Sequence, residues 1–127
     1  MITKLFGNIE AAPILIVGSA RPINPLTGFD ANRSGAFPLS SRPLGFGRNS
    51  LATSSQVQFD LRVLKFFKVG EHEKLDFVIE SLNVLNHTNV VGLNQVYGVA
   101  SSPIPVFATA NKVAIPRQLQ FSVDFEF

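Results

Sequence analysis

One stretch of the chain has residue types and a spacing that suit a calcium ion. Asp30, Asn32 and Ser34 carry side-chain oxygens at alternate positions, which is how an EF-hand-type loop begins. Such a loop also needs a bidentate acid seven residues after the last of these oxygens, and Ser41 stands there. The stretch therefore predicts an Asn/Gly turn, and the three residues are only weak candidates as metal ligands.

The sequence contains no recognisable catalytic or cofactor-binding motif. The chain has no cysteine, and its two histidines, His72 and His87, lie in unrelated contexts. No nucleophile with a base and no pair of catalytic carboxylates is recognisable. We therefore predict no enzyme, no cofactor and no metal site. A net charge of +2 is also too small to indicate nucleic-acid binding.

Six charged residues share a different feature, because each occupies a polar position in an alternating segment. They are Asp60, Arg62, Asp76, Glu80, Asp124 and Glu126. In a soluble sheet they would form a solvated face, whereas in a β-barrel they would face the lumen and pair across strands. The choice between a solvated face and a barrel lumen depends on the strands that carry these residues.

Residues 118–127 alternate without a break between polar and apolar types. Leu119, Phe121, Val123, Phe125 and Phe127 are the apolar members. A period of two predicts a β-strand with two chemically opposite faces. About 9–11 residues is also the length that a tilted strand needs to cross a bilayer.

Three further strands are predicted, over residues 12–20, 55–68 and 75–86. Val57, Phe59 and Leu61 should share a face with Phe77, Ile79, Phe121, Val123 and Phe125. The alternation fails over residues 64–67, which indicates a bulge or the membrane boundary. The first segment, with Lys4 before it, also imitates a secretory signal, but Pro13 and polar residues 7–10 favour a strand.

The connections between the predicted strands differ greatly in length. A short turn at residues 70–74 should bring Arg62 near Glu80 and Lys68 near Asp76. Two long connections, residues 21–54 and about 88–117, are rich in proline and should contain little regular pairing. Short turns on one side and long loops on the other are typical of outer-membrane barrels. A small secreted β-sandwich that binds carbohydrate or protein is the alternative, and it would cover the apolar faces with a second sheet.

The composition fits the barrel better than the soluble alternative. The chain is 46% hydrophobic but only 16% charged, which is low for a soluble domain of 127 residues. No apolar run reaches 18 residues, so no transmembrane helix is predicted. Barrel strands escape that test because their apolar residues come at every other position.

Several motifs, taken together and in order, resemble the C-terminal part of TonB-dependent outer-membrane receptors. The resemblance is to the Oar-like group, whose members carry a carboxypeptidase-regulatory-type domain, and it covers nearly the whole chain after Ala12. The motifs are Arg21-Pro22, Thr27-Gly28-Phe29-Asp30-Ala31-Asn32, Arg42-Pro43, Gly47-Arg48-Asn49-Ser50, Phe59-Asp60-Leu61-Arg62, residues 80–89 (ESLNVLNHTN) and Pro116-Arg117-Gln118-Leu119-Gln120-Phe121.

The resemblance implies an all-β fold, in which four antiparallel strands with two long loops form the terminal segment of a large transmembrane barrel. Such a barrel has about 22 strands and a plugged lumen, and it imports a scarce ligand with energy from TonB. We therefore expect a Gram-negative outer-membrane location and a fragment without transport activity of its own. The implied partners are membrane lipid, the barrel-assembly machinery and the remaining barrel and plug, with TonB reached only through that plug.

Phe121, Val123, Phe125 and Phe127 match the assembly signal that the resemblance implies for the last strand. Strand addition supplies the physical basis, because an open edge offers main-chain hydrogen bonds and alternate side chains give specificity. We expect Phe127→Ala in the complete receptor to lower outer-membrane yield at low expression. A normal yield with slightly lower thermal stability would instead make Phe127 a member of the aromatic girdle.

Overall fold

The alternating segments form antiparallel β-strands, and the fold is all-β as the sequence predicts. The computed structural model describes residues 7–35, 41–99 and 101–127, and no helix occurs among them. The strands are β1 (Ile9–Gly18), β2 (Pro22–Ile23), β3 (Leu51–Ala52), β4 (Gln56–Lys68), β5 (Lys74–Leu82), β6 (Val90–Leu93), β7 (Ala110–Val113) and β8 (Gln118–Glu126).

The chain divides into two compact units, a division that the sequence patterns do not indicate. The first, here called the sheet unit, comprises residues 1–17, 57–87 and 115–127. The second, the loop unit, comprises residues 18–56 and 88–114. The sheet unit is built on one four-stranded sheet in the order β1-β4-β5-β8. Its strands therefore follow one another in space in the order in which they follow along the chain.

The predicted strand bounds need correction at two places. The first strand is β1, at Ile9–Gly18 rather than residues 12–20, while Lys4 of the signal-like alternative lies outside the described residues. The third is β5, which ends at Leu82 rather than at residue 86. It ends there because Asn83 adopts a left-handed backbone conformation with φ of 49°, which interrupts an extended strand.

The irregular stretch at residues 64–67 contains no bulge. Every residue from Leu61 to Lys68 of β4 has a direct partner on β5, from Leu61 opposite Ser81 to Lys68 opposite Lys74. The polar–apolar pattern fails there only because Leu64 and Phe66 occupy the side of the sheet that carries charged residues. The backbone register itself is continuous.

The two long connections are more ordered than the sequence predicts, because they supply the loop unit. β2 pairs with β3, β6 pairs with β7, and Leu26 forms a parallel bridge with Val96. Pro22 begins β2, a position where the missing N–H is tolerated. The expectation of little regular pairing holds in extent, since each of these strands has two to four residues.

Asn83, just beyond the end of β5, links β4 to the segment that leads into β8. Its side-chain Nδ2 donates to the carbonyl oxygens of His87 (3.0 Å) and Ile115 (3.2 Å), and its Oδ1 accepts from the His87 N–H (3.1 Å). Its backbone N–H donates to Asp60 Oδ1 of β4 at 2.8 Å. Asn83 itself is 2% exposed, so these bonds are partly shielded from water.

We expect Asn83→Ala to destabilise the chain by about 1–3 kcal/mol, because partly buried carbonyl and N–H groups lose their partner and Ala disfavours positive φ. Asn83→Gly separates the two effects, since glycine keeps the backbone conformation and loses only the side-chain bonds. Urea unfolding in detergent micelles, with the exposed Gln120→Ala as control, measures the change. Unfolding midpoints equal to that of the parent would contradict this role for Asn83.

Candidate functional site

The main sheet has two chemically distinct faces, which the strand register defines. Directly opposed residues of antiparallel strands share a face, and Val63, Ile79 and Phe121 lie in one such row. Odd-numbered positions of β4, β5 and β8 therefore form one face, here called the apolar face, and even-numbered positions form the polar face. The prediction that the eight alternating apolar residues share one face is confirmed, and these residues are Val57, Phe59, Leu61, Phe77, Ile79, Phe121, Val123 and Phe125.

On the central strand β5, exposure of the two faces is the reverse of that in a soluble sheet. On the apolar face, Ile79 is 46% exposed and Phe121 is 70% exposed. On the polar face of the central strand β5, Asp76 is 7% and Val78 is 3% exposed. On β5 the large apolar side chains are thus the more exposed ones, whereas nearly all residues on both faces of β8 are exposed.

Aromatic rings collect on the apolar face near the end of the sheet that holds the 69–73 turn. The rings of Phe67 and Phe77 meet edge to face with centroids 5.7 Å apart, and those of Phe125 and Phe127 stack at 6.0 Å. Lys65 is the cation on this face, and its Nζ lies 5.3 Å from the Phe67 ring centroid. The Lys65 ammonium also donates to the Gly7 carbonyl oxygen.

All six predicted lumen-facing residues fall on the polar face. They are Asp60, Arg62, Asp76, Glu80, Asp124 and Glu126, each at an even-numbered position of its strand. Arg62 lies directly opposite Glu80 and forms a salt bridge of 3.4 Å, as predicted. The pair is largely exposed, so its contribution to stability is about 0–1 kcal/mol.

The second predicted ion pair is wrong, because the register places Lys68 opposite Lys74. Asp76 lies opposite Phe66 and forms its salt bridge with Lys74, at 2.7 Å between Nζ and Oδ2. The same Lys74 Nζ lies 5.4 Å from the Phe66 ring centroid. The error arose because the two predicted pairs require different registers of β4 and β5. Arg62 opposite Glu80 fits the observed register, whereas Lys68 opposite Asp76 would need a shift of two residues.

Asp60 differs from the other polar-face residues in being a structural acceptor. Its two carboxylate oxygens accept from Gln58 Nε2 at 3.1 and 2.9 Å, and Oδ1 also accepts the Asn83 N–H. These donors hold the carboxylate of Asp60, which belongs to β4, close to the residue that follows the end of β5. Sequence patterns assigned no role to Asn83, although asparagine is a residue that tolerates the left-handed conformation of such a turn.

The calcium-like stretch forms an Asx-type turn around Asp30. Asp30 Oδ1 accepts from the Ser34 N–H (3.0 Å) and Ser34 Oγ (3.3 Å), and Oδ2 accepts from the Gly35 N–H (2.8 Å). The backbone N–H of Ser34, followed by that of Gly35, holds the pKa of Asp30 below its ordinary value. Both oxygens that a cation would need therefore already accept protein donors. In residues 7–35, 41–99 and 101–127, no group of three or more His, Cys, Asp or Glu side chains could hold a metal ion.

Comparisons with protein-family models, with curated proteins and with solved structures found no match to this chain. Within the described part of the chain, no helix has both the length and the hydropathy required to cross a membrane.

The Asp30 turn gives a prediction about pH. Because the folded-state pKa is lowered, the stabilisation is fully present above the ordinary Asp pKa of about 3.9 and is lost as the pH falls through the lower folded value. We expect the Gly35 amide resonance to titrate with a midpoint below that value in NMR spectra of the chain in micelles. Calcium should leave this resonance unchanged. A midpoint at or above the ordinary value, or a saturable shift with calcium, would contradict the turn assignment.

Proposed function

We propose that the sheet unit is a membrane-spanning segment of an outer-membrane β-barrel of the TonB-dependent receptor type. In this proposal the apolar face contacts lipid, and the polar face lines the lumen. The strands β1 and β8 each have one neighbour in the sheet, and their outer edges join further strands of the closed barrel.

The observation that carries the proposal is the uncovered apolar face, which on the central strand β5 is more exposed than the polar face. A soluble antiparallel sheet buries its apolar face and hydrates its polar face. Here Phe121 is largely exposed, while Asp76 on the opposite face is enclosed. A lipid-facing surface accounts for the exposed phenylalanines, because strands of barrels alternate apolar outward and polar inward. Asp76 is enclosed by its neighbours, since its carboxylate lies 2.7 Å from Lys74 Nζ and it stands opposite Phe66.

Strand length and interfacial residues also support the proposal. β1 has 10 residues, β5 and β8 have 9 each, and β4 has 13, which meets the requirement of about 9–11 residues for a tilted strand. The phenylalanine rings near the 69–73 turn are placed as an aromatic girdle would be. Lys65 carries its charge close to the same end, where its stem would lie along apolar surface and its ammonium would reach the interface.

The alternative of a soluble sandwich requires a second sheet over the apolar face. Among the described residues, the remaining strands form two short two-stranded sheets in the other unit, and the apolar face stays exposed. We therefore favour the barrel. The role in ligand uptake rests on the motif resemblance, in which import draws energy from TonB through a plug outside this sequence. Lipid, the barrel-assembly machinery and the other barrel strands are the partners that this proposal implies.

Two adjacent positions on β8 test the proposal. The chain has no cysteine, so Phe121→Cys and Ser122→Cys can each carry a single bimane label. In vesicles containing brominated lipid, we expect quenching at position 121 to be at least about twofold stronger than at position 122, because neighbouring strand residues point to opposite faces. Equal quenching at both positions, or stronger quenching at 122, would contradict a lipid-facing apolar face. Failure of both labelled chains to enter vesicles would do the same.

A further inference from the structure

The loop unit contains a cavity to which the sequence patterns assigned no role. Its volume is about 390 Å³, which lies at the lower end of the range for small-molecule sites. Thr27, Phe29, Asn32, Arg42, Tyr97 and Val99 are among the residues that line it. Apolar side chains thus alternate with a few polar groups around one concave surface, as in small-molecule sites generally.

Backbone hydrogen bonds fix the walls of this cavity relative to one another. The Leu26 N–H donates to the Gln95 carbonyl and the Tyr97 N–H donates to the Leu26 carbonyl, both at 2.8 Å. The Thr27 N–H donates to the Ser41 carbonyl at 3.0 Å. Leu26 and Thr27 are both buried, so three chain segments are held together at the base of the cavity. A cavity with such walls exists before any ligand arrives, which lowers the entropy lost on binding.

The ring of Tyr97 forms a rigid part of the wall. It packs edge to face on Phe107 and on Phe46, with centroid distances of 5.1 and 5.5 Å. Its hydroxyl donates to the Ser101 carbonyl at 3.0 Å. The ring therefore has little freedom to turn, and its exposed part offers a fixed apolar surface.

Arg42 and Asn32 bring further hydrogen-bonding groups to the cavity. The hydroxyls of Thr27 and Tyr97 already donate to carbonyl oxygens. The guanidinium of Arg42 and the side-chain amide of Asn32 donate to no residue that the structure describes. The guanidinium only donates, so it suits a ligand group that accepts hydrogen bonds, and it matches a carboxylate with two parallel bonds. The Asn32 amide can add an N–H donor to the same group.

The charge of the loop unit points to the same ligand chemistry. Its residues include five cationic side chains and one carboxylate, a net charge of +4, whereas the sheet unit has a net charge of −2. The single carboxylate is Asp30, and its oxygens already accept the donors of Ser34 and Gly35. The loop unit therefore has no free acid of its own to neutralise Arg42, and an anion from outside would gain from the local potential.

We propose that this cavity binds a small organic carboxylate, whose carboxylate pairs with Arg42 and Asn32 and whose apolar body lies against Tyr97. The inference concerns the loop unit alone and is independent of the membrane assignment of the sheet unit.

The chain supplies its own reporter for a test, because Tyr97 is its single tyrosine and it has no tryptophan. The full 127-residue chain, refolded in uncharged detergent micelles, is titrated with butyrate at constant ionic strength while Tyr97 emission is recorded. Butyramide serves as the uncharged isostere and inorganic phosphate as an anion without an apolar body. We expect saturable binding of butyrate in the millimolar range and no saturation with butyramide or phosphate.

Two substitutions of arginine separate the cavity from general basic charge. Arg42→Gln should weaken butyrate binding at least about tenfold, because a charge-assisted bidentate pair is lost. Arg42→Lys should retain part of the affinity. Arg48→Gln removes the same charge from the same unit outside the cavity lining and should bind as the parent does. Unchanged Tyr97 emission in the ligand-free variants verifies that each is folded.

Three results would overturn the proposal. The first is the absence of saturable binding of butyrate by the parent chain. The second is equal loss of affinity in Arg42→Gln and Arg48→Gln, which would indicate a diffuse basic surface. The third is an equal response to inorganic phosphate, which would remove the role of the apolar wall and of the carboxylate.

Discussion

The architecture of the sheet unit depends on the buried contact between Asp60 and Asn83. Asp60 lies in the middle of β4 and accepts the backbone N–H of Asn83, which follows the last residue of β5. The side chain of Asn83 then reaches the Ile115 carbonyl, three residues before β8 begins. One left-handed residue thereby relates three strands, and the Asp60 carboxylate that accepts its N–H is not available as a free charge on the polar face. Burial makes the contact more consequential, because polar groups without partners there would lose their hydration as well.

The long strands could be predicted from the sequence because apolar and polar residues alternate along them with a period of two. Gln118 to Glu126 and Gln56 to Lys68 lie where the alternation places them, and their faces follow directly. The end of β5 was misplaced because Val84 and Leu85 continue an apolar trend, whereas a local backbone conformation at Asn83 ends the strand. The alternation of apolar residues reveals where a strand runs and which face each residue occupies. It does not reveal where the strand ends, because that depends on the local backbone conformation.

The order of the loop unit could not be predicted from apolar periodicity either. Its strands have two to four residues, too few to show a period, and its order comes from contacts between segments about 70 residues apart, such as Leu26 with Val96. The same holds for its cavity, which assembles Thr27, Arg42 and Tyr97 from separate stretches. Gly28 is a local trace of this arrangement, since φ is +84° and an added Cβ would lie 2.7 Å from Val96 Cγ1. For the charged residues of the strands, the alternation predicted the face. Their ion-pair partners depended on the register of β4 and β5 across the 69–73 turn, which the alternation does not determine.

The unbroken register of β4, β5 and β8 makes misalignment of the hairpin a discrete choice. A slip of one residue would exchange the two faces of a strand and carry Asp124 and Glu126 to the side of Phe77 and Ile79. In the proposed membrane-spanning sheet such placements would be unfavourable, so lipid would suppress slips by an odd number of residues. A slip of two residues keeps every face and escapes that penalty. Contacts that are specific to one alignment, such as the Arg62–Glu80 salt bridge and the hydrogen bond from the Asn83 N–H to Asp60, distinguish it from the native alignment. A surface ion pair that adds little to stability can thus help to select among alignments that keep the same faces.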